Sequence, residues 1–430
     1  MIYWAQVFHF YQPPTQSLSV LHKICDESYR PLIRVLLRYP HVKVTVNING
    51  VLSEMLHDCG HDDIIDGLSQ LAKRGQIEFT GSGKYHPILP LIPRREIARQ
   101  IQLNLRTNRR FFGKVYVPQG FFSPEMCYSK EIVSPILNSG HQWIILSGIA
   151  CPNSWPVNIS HYVEHNNKRL RVFFRDDIVS NKISFQALGT SEFLENLKQI
   201  KGNEKEMYVV TAMDAETFGH HIKHWEELFL AEVYGQIEPS ERTFTSQKQA
   251  AVLAPRHNLS CEGTKIAHEV QAVTVSQLVE LFPAGEAIEP KPSSWSTSDE
   301  DFAAGNPYPL WMDKDNEIHR LQWEHLGICL ELVNKAIKVS DSDEAKRSAT
   351  IARGLLDRAL HSCQFWWASR RPMWDINLIH KGLLEQCQAI VNAYRAINLS
   401  QADEGIKKEC YRKLIVSRNL RDKIIDKLFL

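Results

Sequence analysis

Two short stretches place acids where apolar chain ends. The run MYVVTAMD (207–214) closes on Asp214, and Glu216, His220 and His221 follow at once. Charge at the end of a buried strand is costly unless it is paired or used. Extended backbone would turn Asp214 and Glu216 to one side, with Ala215 on the other. Two carboxylates forced together repel, so one holds its proton near neutral pH and can serve as an acid. An ion-paired strand end is the alternative, and it leaves the two histidines unexplained. A further acid, Glu125, sits in GFFSPEM (120–126). Ser123 and Pro124 read as an N-cap and first helical residue, which predicts Glu125 in a first turn where the helix dipole favours its charge. A plain helix start would look the same.

Other chemistries have weaker support. His57 and His61 of HDCGH have the spacing of a helical ligand pair beside Asp62 and Asp63, but no flanking strand supplies a third ligand. Neither a GxSxG elbow, a Walker A loop nor a GxGxxG turn occurs. No metal and no cofactor are expected. Trp295, Trp311, Trp366, Trp367 and Trp374 stand in or near polar, loop-like sequence. Sugars stack on such faces, whereas ordinary core packing is the competing use. Two acids beside aromatic platforms suggest glycoside chemistry.

These residues need a frame. Seven apolar runs, IYWAQVFHF, VKVTVNI, QIEFTG, KVYVPQGFF, WIILSG, LRVFFRD and MYVVTAMD, are mostly separated by helix-period segments such as DIIDGLSQLAKRG and SEFLENLKQIKG. That alternation predicts a parallel sheet with crossover helices, closed or nearly closed into a barrel. Polar residues follow several runs: His9 and Gln12, Asn47 and Asn49, Glu78 and Ser82, Glu125, and Asp214 with Glu216. In a parallel barrel such strand ends share one face, where active sites gather. Residues 236–270 read as a long excursion over the barrel mouth, and the chain from about Asn316 as a helical bundle with a Trp-rich piece, FWWASRRPMW. The expected division is a catalytic barrel over 1–310 and a helical domain over 311–430.

The bulk composition excludes several partners. Of the 430 residues, 43% are hydrophobic and 23% charged, and the formal net charge is +1, so neither nucleic acid nor an acidic membrane is favoured. Nine cysteines without CxxC pairs read as reduced thiols. MIYWAQVFHFYQPP lacks a basic start and carries Gln6 and His9 where a signal peptide needs apolar residues. A cytoplasmic protein is expected; its oligomeric state is not readable.

HFYQPP, GQIEFTGSGKYHPI, GFFSPEM and MDAETFGHH, in this order, resemble the first four signature motifs of glycoside hydrolase family 57, the α-amylase and α-mannosidase-like group. SSWSTSDEDFAAGNPYPLW occupies the place of the fifth. The resemblance implies an α/β fold, a (β/α)7 barrel followed by a C-terminal helical bundle, and retaining action on α-linked glucans or oligosaccharides. By motif position Glu125 is similar to the family nucleophile and Asp214 to its acid/base. His9, Gln12, Glu78 and His86 would hold the sugar, with Glu216, His220 and the motif or tail tryptophans Trp295, Trp311 and Trp367 as further contacts. Hydrolysis and 4-α-glucanotransferase activity are both compatible with this. The chain departs from the family pattern in carrying Tyr11 where many members have a second histidine, and Phe121 and Phe122 where a Trp often precedes the nucleophile. It is short beside members with added domains, so the resemblance does not support a branching enzyme or an amylopullulanase. A metal-dependent deacetylase or mannosidase and a non-catalytic glycan-binding protein are the rival readings.

Overall fold

A computed structural model describes residues 1–152, 157–237 and 269–429. Its centre is β1 (Ile2–Phe10), buried along its whole length. β1 runs parallel to β2 (Val44–Ile48) on one edge and to β8 (Met207–Asp214) on the other, with His9 opposite both Asn47 and Asp214. From β2 the sheet continues through β3 (Ile77–Gly81), β4 (Gly120–Phe122), β5 (Trp143–Ser147) and β7 (Lys168–Arg175). A parallel contact at Arg175 and Val210 joins β7 to β8 and closes a seven-strand barrel. All seven expected strands are present. β4 is shorter than its apolar run, whose first part is a 3-10 turn at Gly113–Val115. Gly120 in β4 is required, because a Cβ there would lie about 2.0 Å from the Trp143 ring.

Period-two alternation sorts the side chains. Tyr3, Ala5 and Val7 of β1 and Tyr208, Val210 and Ala212 of β8 point inward with Phe122, Trp143, Ile145 and Phe173. Ile2, Trp4, Phe8, Val209 and Met213 face the surrounding helices. The floor is closed by a segment the sequence pattern did not reveal. β9 (Val270–Val273) pairs with the first half of β1, and the helix Val275–Leu281 then packs Val275 and Leu278 into the interior. β6 (Ser160–His165) forms an antiparallel hairpin with β7 and carries β10 (Ala284–Ala287), also unexpected. The HDCGH stretch is helix end and cap: His57 belongs to the helix Gly50–Asp58 and pairs with Asp62, while His61 contacts His22 and Arg30. Most of the excursion expected over 236–270 lies outside the described residues.

The C-terminal segment is helical, with long helices at Glu317–Val339, Asp343–Ala359, Ile376–Leu399 and Glu404–Leu428. Each begins at a side-chain cap, from Asn316, Ser342, Asp375 and Asp403 respectively. These helices share one apolar cluster with the barrel, in which Leu326, Leu356 and Ile390 join Ile97, Ile144 and Phe174. A buried ionic network reinforces the junction: Arg353 meets Glu96 at 3.0 Å and Asp357 at 2.8 Å, and Arg99 meets Asp357 at 2.6 Å.

Candidate active site

A cavity of about 730 Å³ opens at the C-terminal ends of the strands, and Glu125, Asp214 and Glu216 all line it. Three acids from two strand ends thus line one space.

Glu125 does not start a helix. β4 ends at Phe122, and Pro124–Met126 is a single 3-10 turn in which Glu125 has φ +57° and Met126 φ +51°. Ser123 donates to the Cys127 carbonyl at 2.6 Å instead of capping. The expected dipole stabilisation of Glu125 is therefore absent. Left-handed backbone at a side-chain-bearing residue costs on the order of 1–3 kcal/mol and needs support from its surroundings. Trp295 gives that support twice, donating its backbone N–H to the Glu125 carbonyl at 3.1 Å and its indole N–H to Oε2 at 2.8 Å.

Asp214 is the last inward residue of β8, and among the described residues no hydrogen bond engages its carboxyl. Burial raises its pKa, and the Arg175 guanidinium opposes that rise. Arg175 ends β7 and bridges the barrel seam, donating to the Ala212 carbonyl, Asp177 and Asn181. Burial and then the Asp214 charge push Glu125 up to about 8, with the Trp295 indole pulling the other way. The Asp214 charge thus favours a proton on Glu125.

Glu216 reaches the cavity by a turn rather than by strand alternation, since Ala215–Thr217 is 3-10. Gln12 donates to its Oε1 at 2.7 Å, and the Tyr29 hydroxyl donates to the same atom. Burial and the Asp214 charge still raise it. Tyr29 closes a π-helical turn, Cys25–Tyr29, that grips the whole loop. Ser28 donates to the Ala215 carbonyl, and Glu27 pairs with His220 at 2.7 Å and Lys223 at 2.6 Å.

The expected sugar contacts divide into three groups. Trp295 and Trp367 are on the cavity wall, as are His9, Gln12 and Glu216. His9, however, has both ring nitrogens engaged, with Asn47 at 2.7 Å and His86 at 3.0 Å. Gln12 likewise uses both ends, on Glu216 and Gln16. His86 is fully buried behind the wall, its ring stacked on Tyr11 at 3.8 Å, its Nδ1 2.8 Å from Ser362 and 3.8 Å from Glu125. Burial favours the neutral form of both imidazoles, pushing His9 down to about 4 and His86 well below its ordinary value.

Three residues lie elsewhere, against expectation. Glu78 is near the start of β3 and faces the barrel floor, accepting from Thr45 and from the Ser276 N–H of the floor helix. His220 is drawn away by Glu27, and its neighbour His221 lines the cavity instead. Trp311 is core, packed in the cluster that joins barrel and helices. Arg175, Tyr29 and Ser362 were not anticipated. Arg175 had a readable signal, a charge at an inward position of an apolar run, whereas Tyr29 and Ser362 depend on long-range packing. The helical segment completes the wall with Cys363, Trp366, Met373 and Leu378.

Residues 5–259 match the model described as Glycosyl hydrolase family 57. An α-amylase of Pyrococcus horikoshii is 28% identical over 246 residues, 54% of this chain and 37% of that protein. A 4-α-glucanotransferase of Thermococcus litoralis is 26% identical over 219 residues, 49% of this chain and 32% of that protein. The likeness to these curated relatives thus spans well under half of their length. The fold is shared with a branching enzyme of Pyrococcus horikoshii at a TM-score of 0.68 and 14% identity, covering 100% of this chain and 96% of that one. Chain length therefore gives no argument against that subgroup.

Proposed function

The chain belongs to glycosyl hydrolase family 57, and from that premise we propose that it cleaves α-linked glucans or oligosaccharides by double displacement, passing the glycosyl unit to water or to another sugar. The observation that carries this is the shared cavity, in which Glu125 is held by Trp295 and Asp214 is free to face a ligand. Glu125 attacks the anomeric carbon, forming a glycosyl ester as the bond to the leaving oxygen breaks, and Asp214 gives that oxygen its proton. Asp214 then takes a proton from the acceptor hydroxyl as the acceptor oxygen displaces Glu125, which leaves as carboxylate.

Electrostatics impose one requirement on this cycle. Asp214 has a cationic neighbour in Arg175, while the donor on the Glu125 carboxyl is the neutral Trp295 indole. Before sugar binds, a proton is therefore better placed on Glu125 than on Asp214. A glycosidic oxygen against Asp214 can accept a hydrogen bond only from the protonated acid, so binding draws the proton across. The relatives' names, α-amylase and 4-α-glucanotransferase, support α-linked glucan as the substrate class.

The test is turnover of maltooligosaccharides by wild type and Glu125→Gln, with EDTA present and products separated by chromatography. Turnover that persists in EDTA and is lost in the variant supports the proposal, and the product ladder separates transfer from hydrolysis. Unchanged turnover in Glu125→Gln would overturn it.

A further inference from the structure

Among the described residues no large apolar side chain is more exposed than Phe185, at 78%, and it lines the same cavity as Glu125 and Asp214. It follows the helix Asp177–Ser184, whose inner face buries Val179, Ser180 and Ile183. Ile178, Asn181 and Phe185, spaced by three and four residues, share the outer face, and Ile178 is 70% exposed. Asn181 and Ser184 are also on the cavity wall. An aromatic ring left open to water at a cavity mouth, with amide and hydroxyl groups beside it, has the composition of a sugar platform: a face for the apolar side of a pyranose and polar groups for its hydroxyls.

The platform is held in place. Asp177 accepts from the Ser147 hydroxyl at 2.8 Å, the Ile149 N–H at 3.1 Å and Arg175 at 2.6 Å, which fixes the helix start to the ends of β5 and β7. The far end is closed by N–H bonds of Phe185 to the Asn181 carbonyl and Ala187 to the Lys182 carbonyl, with Gln186 in the left-handed region at φ +54°. Asn181 Oδ1 accepts from Arg175, and among the described residues nothing engages its amide N–H groups, which can serve a ligand. Arg175 thereby ties the platform to the side of the cavity that carries Asp214.

We propose that Phe185, with Asn181 and Ser184, forms an outer subsite for a glucosyl unit remote from the scissile bond, so that the enzyme selects longer α-glucan chains over short ones. This rests on the reading of the cavity as an α-glucan site. The occupant is the continuation of the substrate itself, because the platform is continuous with the cavity wall.

The test compares kcat/KM for maltoheptaose and maltotriose in wild type, Phe185→Ala and Phe185→Tyr, with thermal melts to confirm folding. The expected result is a roughly tenfold fall in the maltoheptaose-to-maltotriose ratio in Phe185→Ala, carried mostly by KM, with recovery in Phe185→Tyr. An unchanged ratio in Phe185→Ala would overturn the proposal. Absence of turnover on every α-glucan in wild type would instead count against the proposed function. In that event calorimetric titration with maltoheptaose decides the subsite, and equal affinity of wild type and Phe185→Ala, or binding by neither, overturns it.

Discussion

Glu125 and Asp214 line one cavity, and on the proposed mechanism the energy of separating their charges sets the pH range of activity. On the proposed mechanism the active form carries one proton on the pair. Below the lower step both are protonated and no nucleophile exists; above about 8 the last proton leaves and no acid remains. A bell-shaped dependence of kcat/KM with a basic limb near pH 8 is expected, and a flat profile would contradict it. The same rise in proton affinity links pH to stability. The folded-state pKa of Glu125 is raised from 4.5 to about 8, so its contribution is intact below pH 4.5 and is lost as pH rises through 8. Each tenfold gain in proton affinity on folding is worth about 1.4 kcal/mol at most. Glu125→Gln should therefore melt above wild type at pH 8.5, with the difference vanishing near pH 4; a constant difference would contradict this assignment. Glu125, Asp214 and Trp295 were legible because motif position and an apolar strand end mark them. Glu78 and Trp311 misled because a polar residue in a strand and a Trp in a loop look alike whether they face a site, a floor or a core.

At the scale of elements, the π-helical turn Cys25–Tyr29 is the part no sequence pattern announced. It aims Glu27, Ser28 and Tyr29 at the 215–220 loop, and a Cβ on Gly219 would lie 1.8 Å from the Glu27 carbonyl oxygen. Tyr29→Phe removes a donor to Glu216, a loss of about 1.5–3 kcal/mol when the acceptor is charged. Urea unfolding should show that loss at pH 9 and much less at pH 5, where Glu216 keeps its own proton. Seven strands were readable because each is a buried apolar run. The floor helix Val275–Leu281 and the strand β6 were not, since the first is short and the second has polar residues that carry no period. The helix Gly50–Asp58 escaped for a similar reason, with only Val51, Leu52 and Leu56 as its buried apolar residues.

At the scale of the molecule, barrel and helical segment share one apolar cluster. Ile97, Ile144 and Phe174 share a core with Leu326, Leu356 and Ile390, and Ser362 reaches across to His86. Removing residues 311–430 would expose that core, and we expect the truncated chain to be insoluble. In the intact chain, Arg353→Met leaves Glu96 and Asp357 short of a buried cation, a change that costs about 3–5 kcal/mol in comparable pairs. Circular dichroism and residual activity should then fall together in one thermal transition; two separated transitions would show independent units. The helical tail was legible from its apolar spacing, but its share of the cavity wall was not, because contacts across the chain leave no local pattern.

The most direct test of double displacement is the anomeric configuration of the first product, followed by proton NMR during early turnover of a maltooligosaccharide. Attack by Glu125 and displacement of Glu125 each invert the carbon, so the new reducing end or transferred bond should be α at first appearance. A β product would mean a single inversion by water and would remove Glu125 from the role of nucleophile.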